Sequence, residues 1–268
     1  MHLVALHGYP LDRRLWSPLT ARAAAGALGP ITSVFAPDFR GRGTSRRPAA
    51  PMHTMSLLAD DTAEEISRSL PPDEPFVLAG LSMGGYVAFE FLRRHGARER
   101  GRLVGLALFD TKASADDDAG RAKRREAIEA IRRDGIDAAV SAMLPKLLAR
   151  RSKGTPVEET TRAMIRETPP ETAMADLAGL AVRDDGFQAL SSWEKPLLVV
   201  VGDEDAIAPA SVAEAMTSVA GRAPWVSLVT VPGAGHLVPL EQPDEAARAL
   251  ALLAEATRRD SAGEGTLP

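Results

Sequence analysis

Two patterns of apolar and polar positions run along this chain: short stretches that are apolar almost throughout, and longer ones with apolar residues at helical spacing. The short stretches HLVAL (2–6), ITSVFAPDF (31–39), PFVLA (75–79), RLVGLALFD (102–110), KPLLVVVG (195–202) and WVSLVTVPG (225–233) predict six strands. RLVGLALFD is apolar on both faces, which suits a parallel sheet covered by helices on each side. Helical spacing fills the intervals at 15–28, 56–70, YVAFEFLRRH from Tyr86, and 211–220. A closing helix starts at Pro243, with Asp244 and Glu245 in its first turn, and ends near Arg258 and Arg259. The tail SAGEGTLP (261–268) is expected to fray.

Between the fourth and fifth strands the alternation stops. Residues 112–189 carry only helical patterns, too long a stretch for a loop, and predict a helical cap inserted into a core made of 1–111 and 190–268. Asp116 to Asp118 stand where an N-cap and first turn favour acids, and Ile136, Val140, Met143, Leu144 and Leu147 form an apolar stripe. Residues 157–168 and 171–183 supply two further helices. The basic residues around 121–125 and 150–153 read as solvated helix faces.

Composition narrows the function. A chain of 268 residues with 45% apolar content suits one large α/β domain with an insertion, and a net charge of −4 offers no basic footprint for nucleic acid. Cysteine is absent, which excludes disulfides, thiolate metal sites and a cysteine nucleophile, and points to a cytoplasmic protein. The segment MHLVALHGYP lacks the basic flank and cleavage site of a leader, is too short to span a bilayer, and reads as a strand, so no membrane role is expected.

The chemistry gathers at GLSMGG (80–85), which sits between a predicted strand and a predicted helix. In that setting Gly-x-Ser-x-Gly is a sharp turn that exposes the hydroxyl of Ser82, with chain passing too close for side chains at Gly80 and Gly84. A serine needs a base, and the base an orienting acid. His236 lies in PGAGHLVPLEQP after the last strand, where small residues leave the loop supple, while His2, His53 and His95 have structural explanations. For the acid, GDEDAIAP follows the strand KPLLVVV, so it emerges at the same sheet edge as the serine turn. Asp205 is the favoured residue there, with Asp203 and Glu204 beside it and Asp110, at the end of the preceding strand, as the alternatives.

The order Ser82, Asp205, His236, with HGYP, DFRGRGTS, GLSMGG, GDEDAIAP and GAGHLVPLEQP spread over nearly the whole chain, resembles the α/β-hydrolase superfamily. The resemblance implies an α/β-hydrolase fold and an oxyanion hole made by the backbone N–H groups of Tyr9 and Met83, with His7 and Gly8 as supports. Family members commonly carry two strands before the HG motif, so the present start predicts six parallel strands without the antiparallel one. The strand near 31–37 would then be an edge, open to dimerisation; monomer and homodimer are both left open. The opening Asp110 to Ala113 is similar to that of enol-lactonases and small esterases, which implies hydrolysis of a small carboxylic ester or lactone with no cofactor or metal. Serine-triad relatives with other activities (C–C bond hydrolases, thioesterases, cofactor-free haloperoxidases) and non-turnover ligand receptors of the same fold stay open. Met143, Met164 and Met174 are candidates for an adaptable acyl pocket, or else plain core.

Overall fold

The computed structural model describes residues 1–263, so most of the tail expected to fray, from 264 on, lies outside the described residues. Among the described residues the strands form one sheet in the order β2-β1-β3-β4-β5-β6, with every neighbouring pair parallel. The strands are β1 (His2–Leu6), β2 (Ser33–Phe35), β3 (Phe76–Leu81), β4 (Leu103–Phe109), β5 (Leu197–Gly202) and β6 (Val226–Val231). Their continuous apolar runs explain the placement. Every residue of β3 and β5 is buried, as strands covered on both faces require, whereas the edge strands β2 and β6 are largely half-exposed.

The helices that connect the parallel strands supply the cover. Helices α1 (Ser17–Ala24) and α11 (Pro243–Ala262) pack together against the sheet, and α2 (Met55–Ser69) packs on α3 (Met83–Glu99). Between β4 and β5 the chain runs through α4 (Asp118–Asp134), α5 (Asp137–Leu147), α6 (Pro156–Glu167), α7 (Pro170–Ala181) and α8 (Phe187–Ser191). Helix α9 (Ala210–Val219) joins β5 to β6, and a short α10 (Val238–Glu241) precedes α11.

Three element predictions shift. The second strand is three residues long, against the nine predicted, because Pro37 lacks an N–H to pair and residues 36–39 leave the sheet to enter the Asp38 loop. The first helix starts at Ser17 after a 3-10 turn over Arg13–Trp16, with Pro18 in its first turn, where a missing N–H is harmless. The closing helix continues past Arg259 to Ala262, and Gly263 ends it with a left-handed φ of 71°.

The strand order fixes where a ligand can sit. From β1 the chain moves outward to β2, then crosses back to β3 on the other side of β1, so the connections diverge between β1 and β3. The crevice beyond the carboxyl ends of these two strands is the switch point of the sheet. The loops that emerge there begin at His7 and Ser82.

Candidate active site

Ser82 stands between β3 and α3 with φ 52° and ψ −113°, a backbone conformation that a side chain rarely tolerates. Surrounding chain holds it there. Ser82 N–H donates to the Phe109 carbonyl (3.0 Å), and Thr111 Oγ1 donates to the Ser82 carbonyl (2.8 Å). A Cβ at Gly84 would overlap the Leu6 carbonyl, and one at Gly80 would overlap the Gly84 carbonyl, so the turn closes only with glycine at both positions.

The loop after β1 is fixed from three directions. His7 Nδ1 donates to the Gly8 carbonyl (3.0 Å) while Nε2 accepts the Phe39 N–H (3.1 Å), which assigns the neutral tautomer protonated on Nδ1. Complete burial, with the Arg42 charge adding to it, lowers the His7 pKa to about 4, in keeping with that tautomer. Arg42 donates to the Leu11 carbonyl and Thr168 Oγ1 to the Pro10 carbonyl. Among the described residues, neither the Tyr9 nor the Met83 N–H donates to a protein acceptor.

His236 is buried, and its Nδ1 donates to Asp205 Oδ2 at 2.8 Å. Asp205 Oδ1 accepts the N–H groups of Ile207 (2.7 Å) and Ala208 (3.0 Å), which leaves its carboxylate little freedom. Burial acts against a charged imidazole, but the charge and hydrogen bond of Asp205, with Asp110 and Glu241 adding to them, outweigh it and raise the His236 pKa above its ordinary value. The other candidate acids have different work. Asp203 accepts the Gly233 N–H (2.6 Å) and Glu204 the Arg150 N–H (3.0 Å), and neither meets His236.

Asp110 also lies at this rim, with φ 46°. It is fully buried, and instead of bonding the imidazole it spans two loops: Oδ1 accepts the Gly202 N–H (3.0 Å) and Oδ2 the Val238 N–H (3.2 Å). It therefore staples the segment before Asp205 to the segment after His236. Desolvation, with the Asp205 charge adding to it, pushes its pKa up to about 8.

The His236 loop is not the supple segment its composition suggests. Glu241 Oε1 accepts the N–H groups of Gly235 (2.9 Å) and Leu237 (3.2 Å), its Oε2 accepts Ala149 N–H (2.8 Å) and Ser152 Oγ (2.7 Å), and His236 N–H donates to the Leu147 carbonyl (2.9 Å). The end of α5 and the chain after it thus pin the loop. Glu241 was missed as a positioning residue. Its only trace in the sequence is an acid five residues beyond a histidine, two residues before a proline-led helix.

The remaining histidines bond elsewhere: His2 with Ser33 and Glu74, His53 with Asp176 (2.7 Å), and His95 with Asp60 (2.7 Å). Met143 and Met174 are half-buried on the insertion, whereas Met164 is wholly buried and packs in the core. Among the described residues no group of three or more histidine, cysteine or acidic side chains could hold a metal ion, and no helix is long and apolar enough to cross a membrane.

A parallel sheet with a strained serine at the switch point and a histidine–carboxylate pair at the same rim defines a hydrolase of the α/β type. The chain belongs to the alpha/beta hydrolase family, whose model matches residues 3–249. It stands among the esterase-type members. A thermophilic esterase from Thermogutta terrifontis, solved with malate bound, is 35% identical with a TM-score of 0.84, the match covering 96% of this chain and 90% of that one. The pimeloyl-[acyl-carrier protein] methyl ester esterase of Xanthomonas campestris pv. campestris is 27% identical over 256 residues, 92% of each chain. The enol-lactonase from Burkholderia xenovorans LB400, at 22% identity and a TM-score of 0.78 over 95% of this chain and 91% of that one, shares the fold.

Proposed function

We propose that Ser82, His236 and Asp205 act as nucleophile, base and orienting acid in the hydrolysis of a small carboxylic ester or lactone, beneath a helical cap formed by residues 112–189. The observation that carries this reading is the 2.8 Å His236–Asp205 hydrogen bond. It directs the protonated Nδ1 away and leaves the Nε2 lone pair free to take a proton.

In this mechanism Ser82 Oγ attacks the acyl carbonyl carbon as its proton passes to His236 Nε2, and the carbonyl π electrons move onto oxygen. The free N–H groups of Tyr9 and Met83 receive that oxyanion, a contribution of roughly 2.7–4 kcal/mol for one such donor. Collapse of the tetrahedral intermediate breaks the bond to the leaving oxygen, which takes the proton from His236. Water then repeats the sequence on the acyl-enzyme and regenerates Ser82. The relatives named as esterases, one of them acting on a methyl ester, support an ester as substrate. Met143 and Met174 are the methionines with surface available to line an acyl pocket under the cap.

The test is steady-state hydrolysis of p-nitrophenyl acetate by wild type and Ser82→Ala. Many turnovers per molecule in the wild type, and a loss on the order of a millionfold in kcat for the variant, are expected. A single stoichiometric burst would favour a ligand receptor, and an active Ser82→Ala would overturn the nucleophile.

A further inference from the structure

Close to Ser82 lies a second polar cluster, at the hinge where the helical insertion leaves and rejoins the sheet. Asp116, on the outgoing segment, is buried and meets three cations. Arg183, on the returning segment, bonds it at 2.8 Å, Arg124 Nε of α4 at 3.0 Å, and Lys112 Nζ stands 3.9 Å away. Arg183 also donates to the Leu180 and Ser114 carbonyls, and its guanidinium stacks 4.2 Å over the ring of Tyr86, in the first turn of the helix that Ser82 caps.

A clasp that only joins the two connecting segments needs one cation for its carboxylate, and Arg183 supplies it. Lys112 and Arg124 are in excess. Among the described residues the two terminal nitrogens of Arg124 meet no acceptor, Lys112 Nζ makes no hydrogen bond, and buried Arg183 Nε is unpartnered. The nearby acids are engaged: Asp117 caps α4 through Gly120 N–H, Asp118 pairs with Arg121, and Asp176 is held by Arg42 and His53. Sequence reading assigns the 121–125 region to a solvated face, and for Lys123 and Arg125 that holds. Arg124 instead turns inward and keeps only a quarter of its side chain exposed.

Arg124 also acts electrostatically on the Tyr9 and Tyr86 hydroxyls, working against the upward push of their burial. Asp116 ties Arg124 to the Arg183 guanidinium that lies over Tyr86, one turn beyond Ser82 on the nucleophile helix, so the spare positive charge gathers beside the nucleophile turn. Lys112 follows Thr111, whose hydroxyl bonds the Ser82 carbonyl. The geometry points to an anion subsite made by Lys112 and Arg124, braced by Arg183 and Asp116, that receives a free carboxylate on the substrate; the preferred substrates are then half-esters of dicarboxylic acids. This rests on the ester-hydrolase reading of Ser82. Guanidinium and ammonium donors beside a partly desolvated crevice suit a carboxylate, which Arg can engage with two parallel hydrogen bonds.

The test compares the monomethyl esters of succinic, glutaric and adipic acids with neutral methyl esters of matching chain length, in wild type, Arg124→Gln, Lys112→Gln and, as an exposed neighbour on the same helix, Arg125→Gln. Wild type is expected to favour at least one half-ester over its neutral partner by tenfold or more in kcat/KM. That ratio should fall about tenfold in Arg124→Gln and Lys112→Gln through KM, and stay put in Arg125→Gln. Glutarate binding to Ser82→Ala by calorimetry, weakened by salt and by Arg124→Gln, gives a readout that needs no turnover. Ser82-dependent hydrolysis of neutral esters with no half-ester preference, or an unchanged ratio in Arg124→Gln, overturns the subsite and leaves the hydrolase reading intact. Loss of all Ser82-dependent hydrolysis alongside retained glutarate binding overturns the hydrolase reading instead.

Discussion

Asp110 and Val238 meet across two loops of this sheet: a carboxylate oxygen of the first accepts the backbone N–H of the second at 3.2 Å, while its other oxygen accepts Gly202 N–H. One buried side chain thereby sets the spacing between the loop that bears Asp205 and the loop that bears His236.

That arrangement makes stability depend on pH. Asp110 has a folded pKa of about 8 against an ordinary 3.8, so between these values the folded chain holds a proton that the unfolded chain releases. Stability from this group is present below the unfolded value and falls as pH rises through the folded one. The melting temperature of wild type should therefore drop more steeply from pH 5 to pH 8.5 than that of Asp110→Asn. Parallel slopes would show that the carboxyl is ionised throughout.

In the proposed mechanism His236, as the base, sets the pH dependence of catalysis. Its pKa is raised above 6.5 by Asp205, and only the neutral ring accepts the serine proton. kcat/KM should rise with pH along a limb centred above 6.5, and Asp205→Asn should lower kcat on the order of 10⁴-fold by favouring the wrong tautomer. A limb at or below 6.5, or an Asn variant within tenfold of wild type, would contradict the pairing.

Arg42 and Asp176 form an ion pair with almost no exposure, joining the loop after β2 to α7, and Asp176 also accepts from His53. Removing one partner strands the other charge in the interior. Asp176→Ala is expected to lower stability by about 3–5 kcal/mol in urea unfolding. A loss under 1 kcal/mol would mean that water reaches Arg42.

At Gly84 a Cβ would strike the carbonyl oxygens of Leu6 and His7, which are backbone and cannot swing aside. Gly84→Ala should cut activity at least a hundredfold or prevent folding, whereas Gly96→Ala, in open space on the same helix, should preserve both. Circular dichroism beside the ester assay separates the two outcomes, and a fully active Gly84→Ala would show that the turn has room.

The sequence alone determined the six strands, the long helical insertion, the strained serine turn and the two loops from which a histidine and an acid would come, while the choice of Asp205 over Asp203, Glu204 and Asp110 as the partner of His236 waited for the fold. Each of these is encoded by local signals: runs apolar on both faces, glycines flanking a serine, and loops that must leave a parallel sheet at its carboxyl edge. Tertiary structure alone decided the rest. Arg42 and Asp176 lie 134 positions apart, Glu241 grips a segment from the insertion, and Arg124 turns inward between two outward basic neighbours. No pattern within one segment records such contacts, because a charge buries itself only where a partner from a distant part of the chain repays its lost hydration.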